Sequence, residues 1–177
     1  RVLNMYEDYP FWFTFFTKLG FKVVLSEKSN RKTYEKGIES MPSESVCYPA
    51  KLAHGHIISL IKQGIKNIFY PCIPYSRKEN LGSDNHYNCP IVISYSEVLR
   101  NNVEEIGKND INFMNPFLPI DDIKHLVKSI YNADCLKQFN FTKAELTEAA
   151  ISAENEYQKT KQDIKDKGQE ILKYMEK

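Results

Sequence analysis

The sequence predicts an α/β fold: a parallel sheet flanked by helices, with a long helix at the C-terminal end. Two observations carry that prediction. Strand-like and helix-like runs alternate as β-α-β-α within the first forty residues, a pitch that implies parallel strands joined by helical crossovers. Near the other end, Thr142 followed by Glu145 forms a capping box in front of a long charged run. The 177 residues suffice for one domain with a real core plus an appendage. The division expected is residues 1–140 for the α/β domain and 141–177 for a helical extension.

Taken in order, residues 1–6 form a short apolar run read as the first strand. Pro10 and the aromatic block 11–16 then give a helix stopped by Gly20. Aromatics at 11, 12, 13, 15 and 16 surround that helix, which implies burial on more than one side. Core packing is their ordinary role, with ligand stacking as the alternative. Residues 21–26 make the next strand, Ser29 is the expected cap of a helix over 31–36 stopped by Gly37, and 38–40 form a short third strand. Apolar residues at 53, 57, 60, 61 and 65 predict a helix over 50–65 that ends at Gly64, and 66–70 returns as a strand. Residues 77–87 read as a polar loop, and 90–94 continue apolar until Tyr95 or Ser96 opens a helix to Val103. A further strand is expected over 111–119, Asp121 caps a helix to about Ala133, and Thr142 opens a helix over 141–177. From Glu154 onward that helix is charged, as suits a solvated helix packed through one stripe or a link to a neighbouring domain.

Composition excludes several classes of partner. Lysine and arginine total 24 against 23 acidic residues, so neither a nucleic-acid footprint nor an anionic-membrane patch is expected. No apolar run is long enough for a membrane span and no signal peptide is present, which makes the cytoplasm the expected location. The chain opens at Arg1, directly in front of a strand-like run, and reads as a piece excised from a longer protein.

Three of the four cysteines fall between Met41 and Pro90, each next to or near a proline: Cys47 in Ser-Val-Cys-Tyr-Pro, Cys72 in Tyr-Pro-Cys-Ile-Pro and Cys89 in Tyr-Asn-Cys-Pro. A buried structural cysteine usually sits in a strand or helix as a small hydrophobe, whereas three at loop positions look like thiols presented to something. In a reducing compartment, metal binding or catalysis is favoured over disulfides. Cys47 is expected at the start of the following helix, where backbone N–H groups and the helix dipole favour an anion. Cys72 is expected at the carboxyl end of a parallel strand, the place where open α/β sheets bind ligands. The spacing C-x24-C-x16-C contains no C-x-x-C pair, which disfavours structural zinc, although His86 could complete a three-cysteine, one-histidine set. A 4Fe-4S cluster held by Cys47, Cys72 and Cys89 is the leading reading, leaving one iron open. Tyr70, Tyr75, His86 and Tyr87 flank the ligands and could donate hydrogen bonds to cluster sulfides. His54 and His56, two apart on a helix, cannot share one face. A cysteine nucleophile is the remaining chemical option, and Cys135 reads as a passive thiol.

At these residues the sequence resembles a known family. Residues 1–12 (Arg-Val-Leu-Asn-Met-Tyr-Glu-Asp-Tyr-Pro-Phe-Trp), the run from Pro42 to His56, Phe69-Tyr-Pro-Cys-Ile-Pro-Tyr75 and Asn88-Cys-Pro90 look like the domain of large acyl-CoA dehydratase activase-related proteins. There it accompanies ATPase domains of the sugar-kinase/actin type that resemble the activator of 2-hydroxyglutaryl-CoA dehydratase. It is similar in turn to the cluster-bearing subunits of the 2-hydroxyacyl-CoA dehydratases and to the double-cubane reductases. The resemblance spans most of residues 1–102 and implies a Rossmann-like sheet. It also implies a 4Fe-4S cluster on Cys47, Cys72 and Cys89 that receives low-potential electrons from an ATP-driven activator. The partners implied are ATPase or activator domains of the same longer protein and an acyl-CoA-type substrate. No Gly-rich phosphate loop occurs here, so no ATP site is expected in this chain, and the isolated domain is expected to be inactive. The alternative is a docking module without a cluster, or with structural zinc.

Overall fold

In the computed structural model, which describes residues 2–80 and 82–176, two short parallel strands divide the molecule. They are β1 (Asn67–Phe69) and β2 (Asn112–Met114), with Asn67 opposite Asn112, Ile68 opposite Phe113 and Phe69 opposite Met114. The pairing continues irregularly to a parallel bridge between Cys72 and Phe117. Successive side chains of a strand point to opposite faces. Accordingly Ile68, Tyr70 and Phe113 enter one apolar core, while Phe69 and Met114 enter another.

The first core is closed by α3 (Arg31–Gly37), α4 (Tyr48–Lys62), α5 (Pro90–Asn102) and α6 (Glu104–Lys108). Ala53, Ile57, Leu99 and Val103 fill it from these helices. Helices α3 and α4 approach so closely that a side-chain carbon at Gly55 would stand 1.6 Å from the Thr33 carbonyl oxygen. Glycine at that position is therefore a packing requirement.

The second core is closed by α2 (Tyr9–Lys18), α7 (Ile123–Asn132), α8 (Asp134–Lys137) and α9 (Lys143–Met175). The aromatic block of α2 lies in it: Phe11 and Phe15 are fully buried, and Trp12 and Phe16 each meet the Phe69 ring at 4.7 Å. The capping box forms as the sequence predicts, with the Glu145 amide donating to Thr142 Oγ1 at 3.2 Å and the Thr142 amide donating to Glu145 Oε2 at 2.8 Å. Leu146, Ala149, Ala150, Ala153 and Tyr157 give α9 one buried stripe; beyond it Ile164, Ile171, Leu172, Tyr174 and Met175 are exposed. Arg77 joins this layer to the loops. Its guanidinium donates to Asp8 and Glu154, both at 3.1 Å, and stacks over Tyr157 at 3.9 Å.

Several expectations are corrected. The fold is mostly helical, at 60%, and its sheet has two strands, so a Rossmann-like sheet is not found among the described residues. The predicted first strand is instead a short helix, α1 (Asn4–Glu7), which the caps of α2 follow directly; Arg1 lies outside the described residues. Residues 21–25 alternate between half-buried (Phe21, Val23, Leu25) and exposed, the period of an extended chain, yet no strand pairs with them among the described residues. The third strand at 38–40 is a 3-10 turn, Ile38–Ser40, held by the Ser40 hydroxyl on the Gly37 carbonyl. Asn30 caps α3 in place of Ser29, and Asp122 caps α7 in place of Asp121. Helix α5 starts at Pro90, five residues earlier than expected, because proline fits the first helical turn.

Two outcomes follow from this packing. Gly55→Ala should cost about 3 kcal/mol or more in urea denaturation, whereas Gly107→Ala, which meets open space in a helix, should be neutral or slightly stabilising. The second concerns pH. Burial holds the Asp8 carboxyl up to about 6 despite Arg77, against 3.8 in the unfolded chain, so this group lowers stability as pH rises through that window. His54 runs the other way. Burial brings it down to about 4 from 6.5, so its contribution is lost as pH falls below 6.5. Asp8→Asn removes only the first slope. Its stability relative to wild type should improve by about 3 kcal/mol between pH 4 and 6.5, measured by denaturation at each pH.

Candidate functional site

Each of the three cysteines ends up at a defined point on the frame. Cys47 is the N-cap residue of α4 and Cys89 the N-cap residue of α5, both with extended backbone (φ −60° and −58°) and proline in the first helical turn. Both thiols are exposed, and neither caps its helix through a side-chain hydrogen bond. The first-turn amides of α4 and α5 therefore face outward beside a thiol, where the helix dipole favours negative charge.

Cys72 differs. It follows β1, donates its amide to the Pro116 carbonyl at 2.9 Å, and is fully buried. Its Sγ lies 2.8 Å from the Ser96 hydroxyl. Burial pushes this thiol up, and the Ser96 bond only partly offsets that.

Two links hold the cysteines at one end of the sheet. His54 Nε2 and Tyr95 Oη, 3.0 Å apart, tie α4 to α5 about two turns in from each cysteine cap. Asn88 forms the other link: its amide donates to the Pro74 carbonyl and its side chain to the Ile73 carbonyl, both at 2.9 Å. The polar loop expected over 77–87 is thus pinched at its neck, with Cys89 brought back beside the strand that carries Cys72. Tyr70 lies within electrostatic reach of Cys72 and Cys47. Its hydroxyl is pushed well above the usual phenol range, chiefly by burial and further by Tyr95, Cys72 and Cys47.

The remaining predicted residues form a separate group. Tyr75 and Tyr87 pair across an antiparallel bridge, with hydroxyls 3.0 Å apart and rings 4.5 Å apart. His86 lies against Tyr75 at 5.3 Å and places Nε2 3.6 Å from the Asp121 carboxylate. His54 is committed to Tyr95 and Ser40, and His56 contacts Ser29 at 2.9 Å, so their roles are in the packing of α4. Cys135, half-buried on α8, lies in the other core layer. Ser96, which contacts Cys72, and Asn88, which bonds to Ile73 and Pro74, are neighbours of the cysteines that the sequence does not single out. Expecting the helix to begin at Tyr95 or Ser96 hid the fact that Ser96 lies two turns inside it, on the face toward Cys72.

In chemistry the donor set suits an iron-sulfur cluster: three thiols, two of them at helix N-termini. In position the set is not assembled. No three His, Cys, Asp or Glu side chains converge as metal ligands among the described residues. Ser96, which engages Cys72, is seven residues along α5 from Cys89, about 10 Å of helix.

Comparison with known proteins places the chain in a family. It belongs to the CoA enzyme activase uncharacterised domain family, whose model matches residues 1–177. No curated protein and no solved structure matches it. Among the described residues, no helix is long and apolar enough to cross a membrane.

The exposure pattern makes a direct prediction about the thiols. Brief treatment of the folded protein with iodoacetamide should label Cys47 and Cys89, with Cys72 labelled only after denaturation, as read by peptide mass spectrometry. Rapid labelling of Cys72 would show that its seat at Ser96 opens readily.

Proposed function

We propose that this CoA enzyme activase domain carries a 4Fe-4S cluster on Cys47, Cys72 and Cys89 and takes part in ATP-driven low-potential electron transfer. The observation that supports this reading most is that two of the three cysteines are N-cap residues with exposed thiols, while the third follows β1 at its carboxyl end. When bound, a cluster supplies one-electron chemistry at a potential set by charge, hydrogen bonding and exposure. The chain's own contribution is electrostatic: first-turn amides of α4 and α5 offset the negative charge of thiolate ligands. Ligation would take Cys72 away from Ser96. ATP turnover belongs, on this reading, to activator domains of the same longer protein, with an acyl-CoA-type compound as the eventual electron acceptor. The domain would work in the reducing cytoplasm, where unpaired thiols persist.

A second reading has its own support. The sealed Cys72 and the absence of an assembled ligand set among the described residues suit a docking module that holds no cluster.

Anaerobic reconstitution separates the two. The cluster reading expects about four irons and four sulfides per chain, a brown colour, and loss of both in Cys72→Ala with the fold retained by circular dichroism. Colourless, folded, metal-free protein would leave the docking module as the account, and stoichiometric zinc would make the site structural.

A further inference from the structure

The cleft between the two cores has the form of a missing strand. It encloses about 440 Å³, within the range of ligand-binding clefts. One wall is every residue from 66 to 70, and the other is every residue from 21 to 26. A cavity lined by consecutive residues of an extended chain lies against its backbone edge, because a face would show only alternate residues. Above and below, the cleft is closed by Trp12 and Phe16 of α2 and by Ala53 and Ile57 of α4. It therefore lies in the plane of the sheet, between the two helical layers.

Both walls present unused backbone groups. The bonds from β1 to the β2 side run through Lys66, Tyr70 and Cys72, so by strand alternation Asn67 and Phe69 direct their N–H and C=O groups toward the other edge. Opposite them, residues 22–27 make no backbone-to-backbone hydrogen bond among the described residues. This second wall is nonetheless held in place. At one end Phe21 packs edge-on to Phe139 at 5.0 Å, and at the other the Glu27 carboxylate accepts from the Ser59 hydroxyl at 3.1 Å. The indole N–H of Trp12, which lines the cleft, is buried without a hydrogen-bond partner among the described residues.

From this geometry we infer that the cleft is the binding site of an extended peptide, which enters as a β-strand between β1 and residues 21–26. The complementarity is electrostatic as well as apolar: two facing rows of partly charged N–H and C=O groups match only another extended backbone. The occupant is apolar on both of its faces, since its alternate side chains enter the aromatic layer of α2 and the aliphatic layer of α4. Its arrival joins β1 and residues 21–26 into one sheet and makes a strand of the segment that is extended but unpaired here.

The test uses a capped heptapeptide of alternating valine and isoleucine between terminal lysines, added to the whole chain. Hydrogen exchange should slow by about tenfold or more at Phe69 and at alternate amides of residues 22–26, and the protein should melt at a higher temperature. The same peptide N-methylated at alternate residues should do neither. Three results would overturn the inference. One is equal binding of the N-methylated peptide or of decanoate without amide protection, which would make the cleft a small-molecule pocket. Another is no protection at millimolar peptide. The third is protection of these amides without peptide in a sedimenting dimer, which would make a second copy the occupant.

Discussion

The alternation of side chains along β1 is the constraint on which the rest of the structure depends. Ile68 and Tyr70 belong to one core and Phe69 to the other, so three consecutive residues hold two helical layers apart and together. A slip of one residue in the pairing with β2 would send Phe69 toward α4 and Ile68 toward the aromatic block of α2, reversing both cores at once. The register of this short ladder is fixed less by its own hydrogen bonds than by the mismatch between those two environments. The α2 layer is aromatic and wide, while the α4 layer is aliphatic and close enough to α3 to require glycine at 55.

What the layers do not supply, the loops do. Between β1 and α5 the chain makes a polar excursion, and Arg77 anchors it by reaching the two carboxylates Asp8 and Glu154 and the Tyr157 ring. An ion pair this buried adds little net stability, because desolvation of the charges offsets their attraction. Its consequence is positional: it ties α9 and the N-terminal segment to the loop whose neck at Asn88 returns Cys89 to the sheet. Removing either carboxylate disturbs that path more than it changes the net charge.

The parts legible in the sequence are those whose determinants are local. The α9 cap needs only Thr142 and Glu145, the α4 stripe only its own periodicity, and Cys72 was expected at a strand end because Pro71 follows an apolar run. Strands are different, since a run of alternating residues becomes a strand only when another edge meets it. Residues 21–26 have the right pattern but no pairing strand among the described residues, and Asn4–Glu7 of the expected first strand form the turn of helix that leads to α2. The candidate site divides along the same line. Cys47 as a helix cap was legible from the helix behind it; the Ser96 seat of Cys72 and the His54–Tyr95 tie bring together residues 24 and 41 apart in sequence, which no local pattern announces.

The strand-shaped cleft and the thiols share one element. Phe69, whose backbone faces the cleft, is three residues from Cys72, and Tyr70 between them both lines the cleft and feels the thiols of Cys72 and Cys47. A peptide bonded along β1 fixes the backbone that leads into Pro71 and Cys72, and so selects among the positions open to that thiol. Binding free energies are reciprocal. If a strand in the cleft favours Cys72 at Ser96, a ligand that draws Cys72 away must weaken the strand, and if the strand favours release, the same ligand must tighten it. Only Tyr70 and Pro71 separate Phe69 from Cys72, so both events would act through the same short backbone.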